Sequence, residues 1–157
     1  MAKAESWASS EAVRHNMQAN RSRDTGPEMA VRHLLFADGL RYRVSYHPLP
    51  DNKRMTVDIA FPGARVVVLI DGCFWHGCPD HYQVPRTHTD YWESKIAGNM
   101  ARDQKTTLDL TDAGWKVLRF WAHEPSESIA SAVERTIRKP GNNANTNICS
   151  EIVGDGP

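Results

Sequence analysis

Cys73, Cys78 and His81 crowd into one short stretch of the chain, and His123 follows much later, at the end of a strand-like run. Thiolates and imidazoles are the ligands that tetrahedral zinc prefers, and four protein ligands make a closed, structural site with no position left for a substrate. Such a site would pin an irregular loop to a distant strand end. The spacing is not that of a standard finger, so chance clustering competes with zinc. Three cysteines in total, an odd number, do not suggest a disulfide framework, and Cys149, in a polar tail, reads as an idle thiol.

Carboxylates offer a second kind of chemistry. Asp58 lies on the polar face of one strand-like run and Asp71 closes the next, after a tight turn, so pairing of the two strands would bring both acids to one end of a sheet. Hard oxygen ligands on rigid strands suit Mg²⁺, which keeps several waters and reaches out to phosphates. A solvated strand residue and an ordinary turn aspartate are the plain alternative. Glu28 has two readings as well: a capping box with Thr25 accounts for it, and it reaches a metal-bound water if the first helix packs beside the sheet end.

His76 sits among the cysteines but off their ligand spacing; imidazole can act as a base near neutral pH, and a structural role is the plain alternative for a lone histidine. Asp103 falls in the middle of the apolar stripe of a helix, where a carboxylate is costly unless it is paired. His76 is a candidate partner, and such a pair would fix the imidazole tautomer as in hydrolases. Lys95, Asn99 and Arg102 flank the same stripe on one side, placed to meet phosphate or base edges, or simply water. Phe74 and Trp75 stand in a loop with little apolar company, which suits flat wedges between base pairs, with core packing as the alternative; Trp92 in particular suits its helix stripe.

These residues need elements to position them. Thr25-Gly-Pro-Glu28 opens a helix carrying Val31, Leu34 and Leu35, and Gly39 stops it. Leu40, Tyr42 and Val44 alternate with polar residues as in a half-buried strand, and Met55 to Phe61 alternates again, with Val57, Ile59 and Phe61 on one face. Val66 to Ile70 is apolar throughout, as a central strand covered on both sides should be. Gly72 to Thr89 has no period. Asp90 to Ala113 reads as a helix with Trp92, Ile96, Met100, Thr107 and Leu110 on its stripe, Trp115 to Trp121 as a strand, and Ser126 to Arg138 as a last helix. The fold class is therefore α/β: a mixed central sheet with helices on both faces. Residues 1–20 form a polar arm, 21–138 the folded domain and 139–157 a loose tail.

Composition excludes little. With 157 residues, 40% hydrophobic and 24% charged, the chain suits one globular domain, and no apolar run approaches the ~20 residues of a membrane span, so a cytoplasmic location is expected. Nineteen basic and nineteen acidic residues cancel, yet Arg14 to Arg54 holds eight Lys/Arg against four acids. That local excess suits phosphates as well as solvent.

The segment Asp71-Gly-Cys-Phe-Trp-His-Gly-Cys-Pro79 resembles the signature loop of the very short patch repair (Vsr) endonucleases. The likeness runs from Asn16-Met17 and Arg23-Asp-Thr25…Pro27-Glu28, through Trp92-Glu-x-Lys95-Ile96-x-x-Asn99-x-x-Arg102-Asp103, to Gly114-Trp-Lys-Val-Leu118 and Trp121. It implies a fold similar to type II restriction endonucleases with a structural zinc site, and Mg²⁺-dependent hydrolysis of double-stranded DNA on the 5′ side of a thymine in a T:G mismatch left by 5-methylcytosine deamination. By resemblance, Asp58 ligates Mg²⁺ with Ile70 and Asp71 completing the protein ligands, Glu28 lies near the metal waters, and His76 with Asp103 activates the attacking water. Phe74, Trp75 and Trp92 enter the duplex, Lys95 and Asn99 face the mispaired bases, and Cys73, Cys78, His81 and His123 hold Zn²⁺. Arg102 stays a candidate DNA contact. Val57 and Ala122 stand where the family often has Pro and Glu; neither is a proposed ligand. The expected protein is a monomer, with other mismatch-repair proteins as candidate partners. The alternatives are a zinc-stabilised module that binds mispairs without cutting, and a related nuclease that cuts modified or matched DNA.

Overall fold

The computed structural model describes residues 23–139. The arm at 1–20, the tail from 140, Cys149 and the Asn16-Met17 match lie outside the described residues. Within them the order is α1 (Gly26–Ala37), β1 (Arg43–Tyr46), β2 (Val57–Phe61), β3 (Val66–Asp71), α2 (Thr89–Asp112), β4 (Lys116–Trp121) and α3 (Ser126–Arg138).

The strands form one four-stranded sheet in the order β1-β2-β3-β4, with β1–β2 and β2–β3 antiparallel and β3–β4 parallel. This is the mixed α/β sheet expected. Two cores cover it. On one face Ile59, Phe61, Val66, Val68, Ile70 and Leu118 meet Val31 and Leu35 of α1 and Ile129, Ala130 and Val133 of α3. On the other, Val57, Ala60, Val67 and Leu69 meet Leu110 of α2 and Trp115. Leu35 and Leu110 are fully buried, so truncating either to Ala costs roughly 2–5 kcal/mol.

Two helix ends show why the chain turns where it does. Beyond α1, Gly39 takes φ 81°, its amide donates to Phe36 and that of Leu40 donates to Leu35. Beyond α2, Gly114 takes φ 83°, with Gly114 donating to Thr111 and Trp115 to Leu110. Both are Schellman closures, which need a left-handed residue after the helix.

The structure corrects three readings. β1 starts at Arg43; Leu40 and Tyr42 pack on the first core without joining the strand, because Leu40 is still tied to the end of α1. Val57 does not share a face with Ile59 and Phe61 but packs in the other core with Ala60 and Leu69. The alternation breaks at Asp58 although β1 and β2 stay in register from Tyr46–Val57 to Arg43–Ala60, and Ser45 takes φ 45° on the neighbouring strand. Third, the Thr25 hydroxyl makes no bond to the helix amides; it donates to Glu28.

Candidate active site and metal cluster

The loop that follows β3 is irregular but tied at every step. The amide of His76 donates to Gly72, that of Cys78 to Cys73 and that of Tyr82 to Cys78. Gly77 lies at φ 66°, and a Cβ there would meet Met100 Sδ at 2.9 Å and Ile96 Cγ2 at 3.1 Å. Only glycine lets the loop lie on α2 so closely.

Cys73, Cys78, His81 and His123 converge at one end of this loop, with one ligand atom from each within 4.8 Å of all the others. The Nδ1 of His123 lies 3.2 Å from Cys73 Sγ and 3.7 Å from Cys78 Sγ, and His81 Nδ1 lies 3.7 Å from Cys78 Sγ. Around a tetrahedral zinc, with bonds of about 2.3 Å to sulfur and 2.0 Å to nitrogen, S and N sit about 3.5 Å apart. The donor set fits that ion. Burial, and then the adjacent Cys78 thiol, push the Cys73 thiol above its ordinary value, a cost that a bound dication removes. The parallel pairing of β3 with β4 brings His123 here, and the Ala122 amide donates to the Asp71 carbonyl at 2.8 Å.

The middle of the loop delivers His76 to the sheet end. Its Nδ1 lies 2.6 Å from Asp103 Oδ2 and 3.6 Å from Asp71 Oδ1. Asp103 is half-buried on α2, where its place in the apolar stripe requires a partner. It has two: His76, and Arg119 of β4, whose Nη2 is 2.9 Å from Asp103 Oδ1. Arg119 also donates to both carboxylate oxygens of Asp71. Burial alone would lower the Arg119 pKa, but Asp71 and Asp103 outweigh it and hold the value above the ordinary one. Sequence reasoning missed Arg119. A charge inside Val117-Leu118-Arg119-Phe120-Trp121 was the available signal, by the argument that singled out Asp103.

Asp58 reaches the same end of the sheet from β2. The ladder between β2 and β3 stops at Ile59 and Val68, and beyond it Asp58 Oδ2 accepts the Ile70 amide at 2.8 Å. Burial raises the Asp58 pKa to about 6 against the help of that hydrogen bond, and the charges of Glu28 and Asp71 add to the rise while Arg32 opposes it. Glu28 is buried in the first turn of α1, accepting from the Asp24 amide at 3.0 Å, the Thr25 hydroxyl at 2.9 Å and Arg32 Nη2 at 3.0 Å. Asp58 thus keeps one oxygen for another partner, and the donor chemistry fits a hard cation, which needs few protein ligands when it is Mg²⁺. Asp71 and Ile70 are close in sequence, but the carboxylate of Asp71 is already engaged by Arg119.

Phe74, Trp75 and Trp92 form one cluster, with ring centroids 5.1 Å apart for Phe74–Trp75, 5.4 Å for Phe74–Trp92 and 6.0 Å for Trp75–Trp92. Tyr82 and Tyr91, not singled out from the sequence, pack at its margins. Trp92 is buried as its stripe demands, whereas Phe74 and Trp75 are half-buried. Asn99 donates to the Trp75 carbonyl at 2.8 Å and accepts from Arg102, so it holds the aromatic loop to α2. Lys95 is exposed.

Fold and site together define an α/β protein with a carboxylate and imidazole centre set beside a thiol and imidazole cluster. Comparison with known proteins says which. The family described as DNA mismatch endonuclease Vsr matches residues 8–82. The type II nicking enzyme V.NaeI of Lentzea aerocolonigenes is 46% identical over 123 residues, 78% of this chain and 74% of the relative. V.XorIIP of Xanthomonas oryzae pv. oryzae, also a type II nicking enzyme, is 42% identical over 131 residues, 83% of this chain and 92% of the relative. The DNA mismatch endonuclease Vsr of Escherichia coli K12 is 37% identical over 107 residues, 68% of this chain and 66% of the relative. The chain belongs to the Vsr family of DNA endonucleases. Among the described residues no helix is long and apolar enough to cross a membrane.

Proposed function

We propose that this endonuclease nicks double-stranded DNA on the 5′ side of the thymine in a T:G mismatch, by Mg²⁺-dependent hydrolysis, acting as a monomer in the cytoplasm on a restriction-endonuclease-like scaffold. The observation that carries the reading is the His76–Asp103 pair, 2.6 Å apart, at the same sheet end as Asp58. With Nδ1 directed at Asp103, Nε2 of His76 is the nitrogen that takes a proton from the attacking water. The oxygen of that water bonds to phosphorus as the P–O bond to the leaving sugar oxygen breaks, and that oxygen takes the electron pair and a proton from solvent. Asp58 and the Ile70 carbonyl, with Asp71 beside them, would hold Mg²⁺, and Glu28 would orient its waters. When bound, the ion supplies charge stabilisation at the scissile phosphate.

Zinc would be held by Cys73, Cys78, His81 and His123, and its contribution is a structural cross-link between the loop and the end of β4. Phe74 and Trp75, backed by Trp92, enter the stack beside the mispair, where a wobble-distorted step resists opening less than a matched one. Lys95 and Asn99 face the mispaired bases and Arg102 a phosphate. The relatives include both a mismatch endonuclease and nicking enzymes, so substrate choice decides between this reading and a nuclease for matched or modified DNA. Strand-specific cleavage of T:G against C:G duplexes in several sequence contexts, with Mg²⁺ varied, is the test. Nicking of the thymine strand only in the mismatched duplex is expected; equal cutting of both, or binding with no cutting at any Mg²⁺ concentration, would overturn it.

A further inference from the structure

Arg119 joins more of this centre than a strand residue needs to. It stands on β4 beside Leu69, with Nε and Nη2 on the two oxygens of Asp71 and Nη1 donating at 3.0 Å to both the Asp103 carbonyl and the Thr107 hydroxyl. Nη2 also pairs with Asp103 Oδ1 at 2.9 Å, while the other oxygen of that carboxylate, Oδ2, holds His76 Nδ1. One planar fork therefore fixes both the backbone and the carboxylate of the residue that orients the imidazole. It also fills the gap between Asp71 and Asp103, whose ligand atoms lie, with that of His76, within 4.8 Å of one another. The charge between these acids is supplied by the chain itself.

We propose that Arg119 is a positioning residue for His76, acting through Asp103 by denying its carboxylate rotation. This rests on the reading of His76 as the proton acceptor. A plain tie between β4 and α2 would use the same contacts, so the test must follow the imidazole.

Arg119→Met keeps the stem and removes the fork. In the DNA-free, zinc-loaded protein the His76 Nδ1 proton, deshielded by its hydrogen bond to Asp103 and slowed in exchange, should give a downfield imidazole proton resonance, absent in His76→Ala; Arg119→Met is expected to lose or broaden it. Nicking at saturating T:G duplex should fall about 100-fold, as for a reacting group displaced by about 1 Å, with duplex binding almost unchanged. Adding Arg119→Met to His76→Ala should slow nicking no further, because residues that act as one unit are not additive. A resonance that persists in Arg119→Met, or a double variant slower than His76→Ala by the full factor seen in the wild type, overturns the proposal. Should Arg119→Met not fold, Arg119→Lys decides. An ammonium meets one carboxylate and lacks the fork, so a weakened resonance with nicking down about tenfold supports the role, and wild-type behaviour in both overturns it. If the wild type fails to nick T:G duplexes, the substrate reading falls, while the resonance still decides for Arg119.

Discussion

The two sides of the sheet end hold similar residues and treat them differently. On the α2 side Asp71 and Asp103 share Arg119 and His76, and each carboxylate has a cationic or imidazole partner within hydrogen-bond distance. On the α1 side Arg32 is buried, but it pairs with Glu28 and Asp24, and among the described residues Asp58 accepts only a backbone amide. The outcome is a carboxylate whose pKa rises to about 6 through burial and neighbouring acids. A pair that is electrically complete positions a proton acceptor; an acid left short of positive charge is where an external cation is worth most. The division of labour inside this centre is thus set by where the two arginines go.

Removing the imidazole should show the largest effect. His76→Ala is expected to cut the nicking rate about 10²–10⁴-fold with T:G binding retained in a gel-shift assay, the range general-base catalysis supplies. Unchanged nicking would place the chemistry elsewhere. Cys78→Ser should come next: loss of one zinc per chain by metal analysis, and a thermal midpoint lowered well below that of the zinc-loaded protein, since a structural site contributes its binding energy to folding. An unaltered metal content would dissolve the cluster.

The third effect sharpens the comparison itself. Asp58 has a folded pKa of about 6 against the ordinary 3.8, so the native state binds its proton more tightly than the unfolded chain does. Its contribution favours folding most below about pH 4, declines as pH rises from about 4 to 6, and leaves a constant penalty of about 2–3 kcal/mol above that. Asp58→Asn should therefore stabilise the magnesium-free protein at pH 7.5 but not at pH 3.5, while abolishing the Mg²⁺ response of nicking. In the wild type the apparent Mg²⁺ affinity should weaken as pH falls through about 6; a flat profile would mean Asp58 is not the ligand. The smallest effect belongs to Gly77. Ala there faces a positive φ and a close Met100 contact, so it should cost roughly 1–2 kcal/mol in denaturant unfolding.

Much of this was legible in the sequence because the signals were local. The apolar run of β3, the glycines after α1 and α2, and the carboxylate stranded in the stripe of α2 each follow from periodicity or from the cost of an unpaired charge. The reading failed where two strands had to be considered together. Val57 leaves the face of Ile59 and Phe61 for the opposite core, a departure from strict alternation that the residue types of β2 do not signal. Within β4 Arg119 stands out only as a charge in an apolar run; its partners come from β3 and α2, which the strand's own sequence does not identify. Glu28 carries both a capping and a metal-water reading in sequence, and its i,i+4 pairing with Arg32 is local to α1, whereas its burial comes from packing that helix on the sheet.

The arc that carries His76 leaves β3 where Asp71 is fastened to Ala122, and it closes where Cys78 meets His123, two points a single residue apart on the chain beyond β4. A strap buckled at both ends to the same post cannot swing. On the proposed reading the imidazole is thus set before any DNA arrives, and the energy of binding need not be used to assemble the protein.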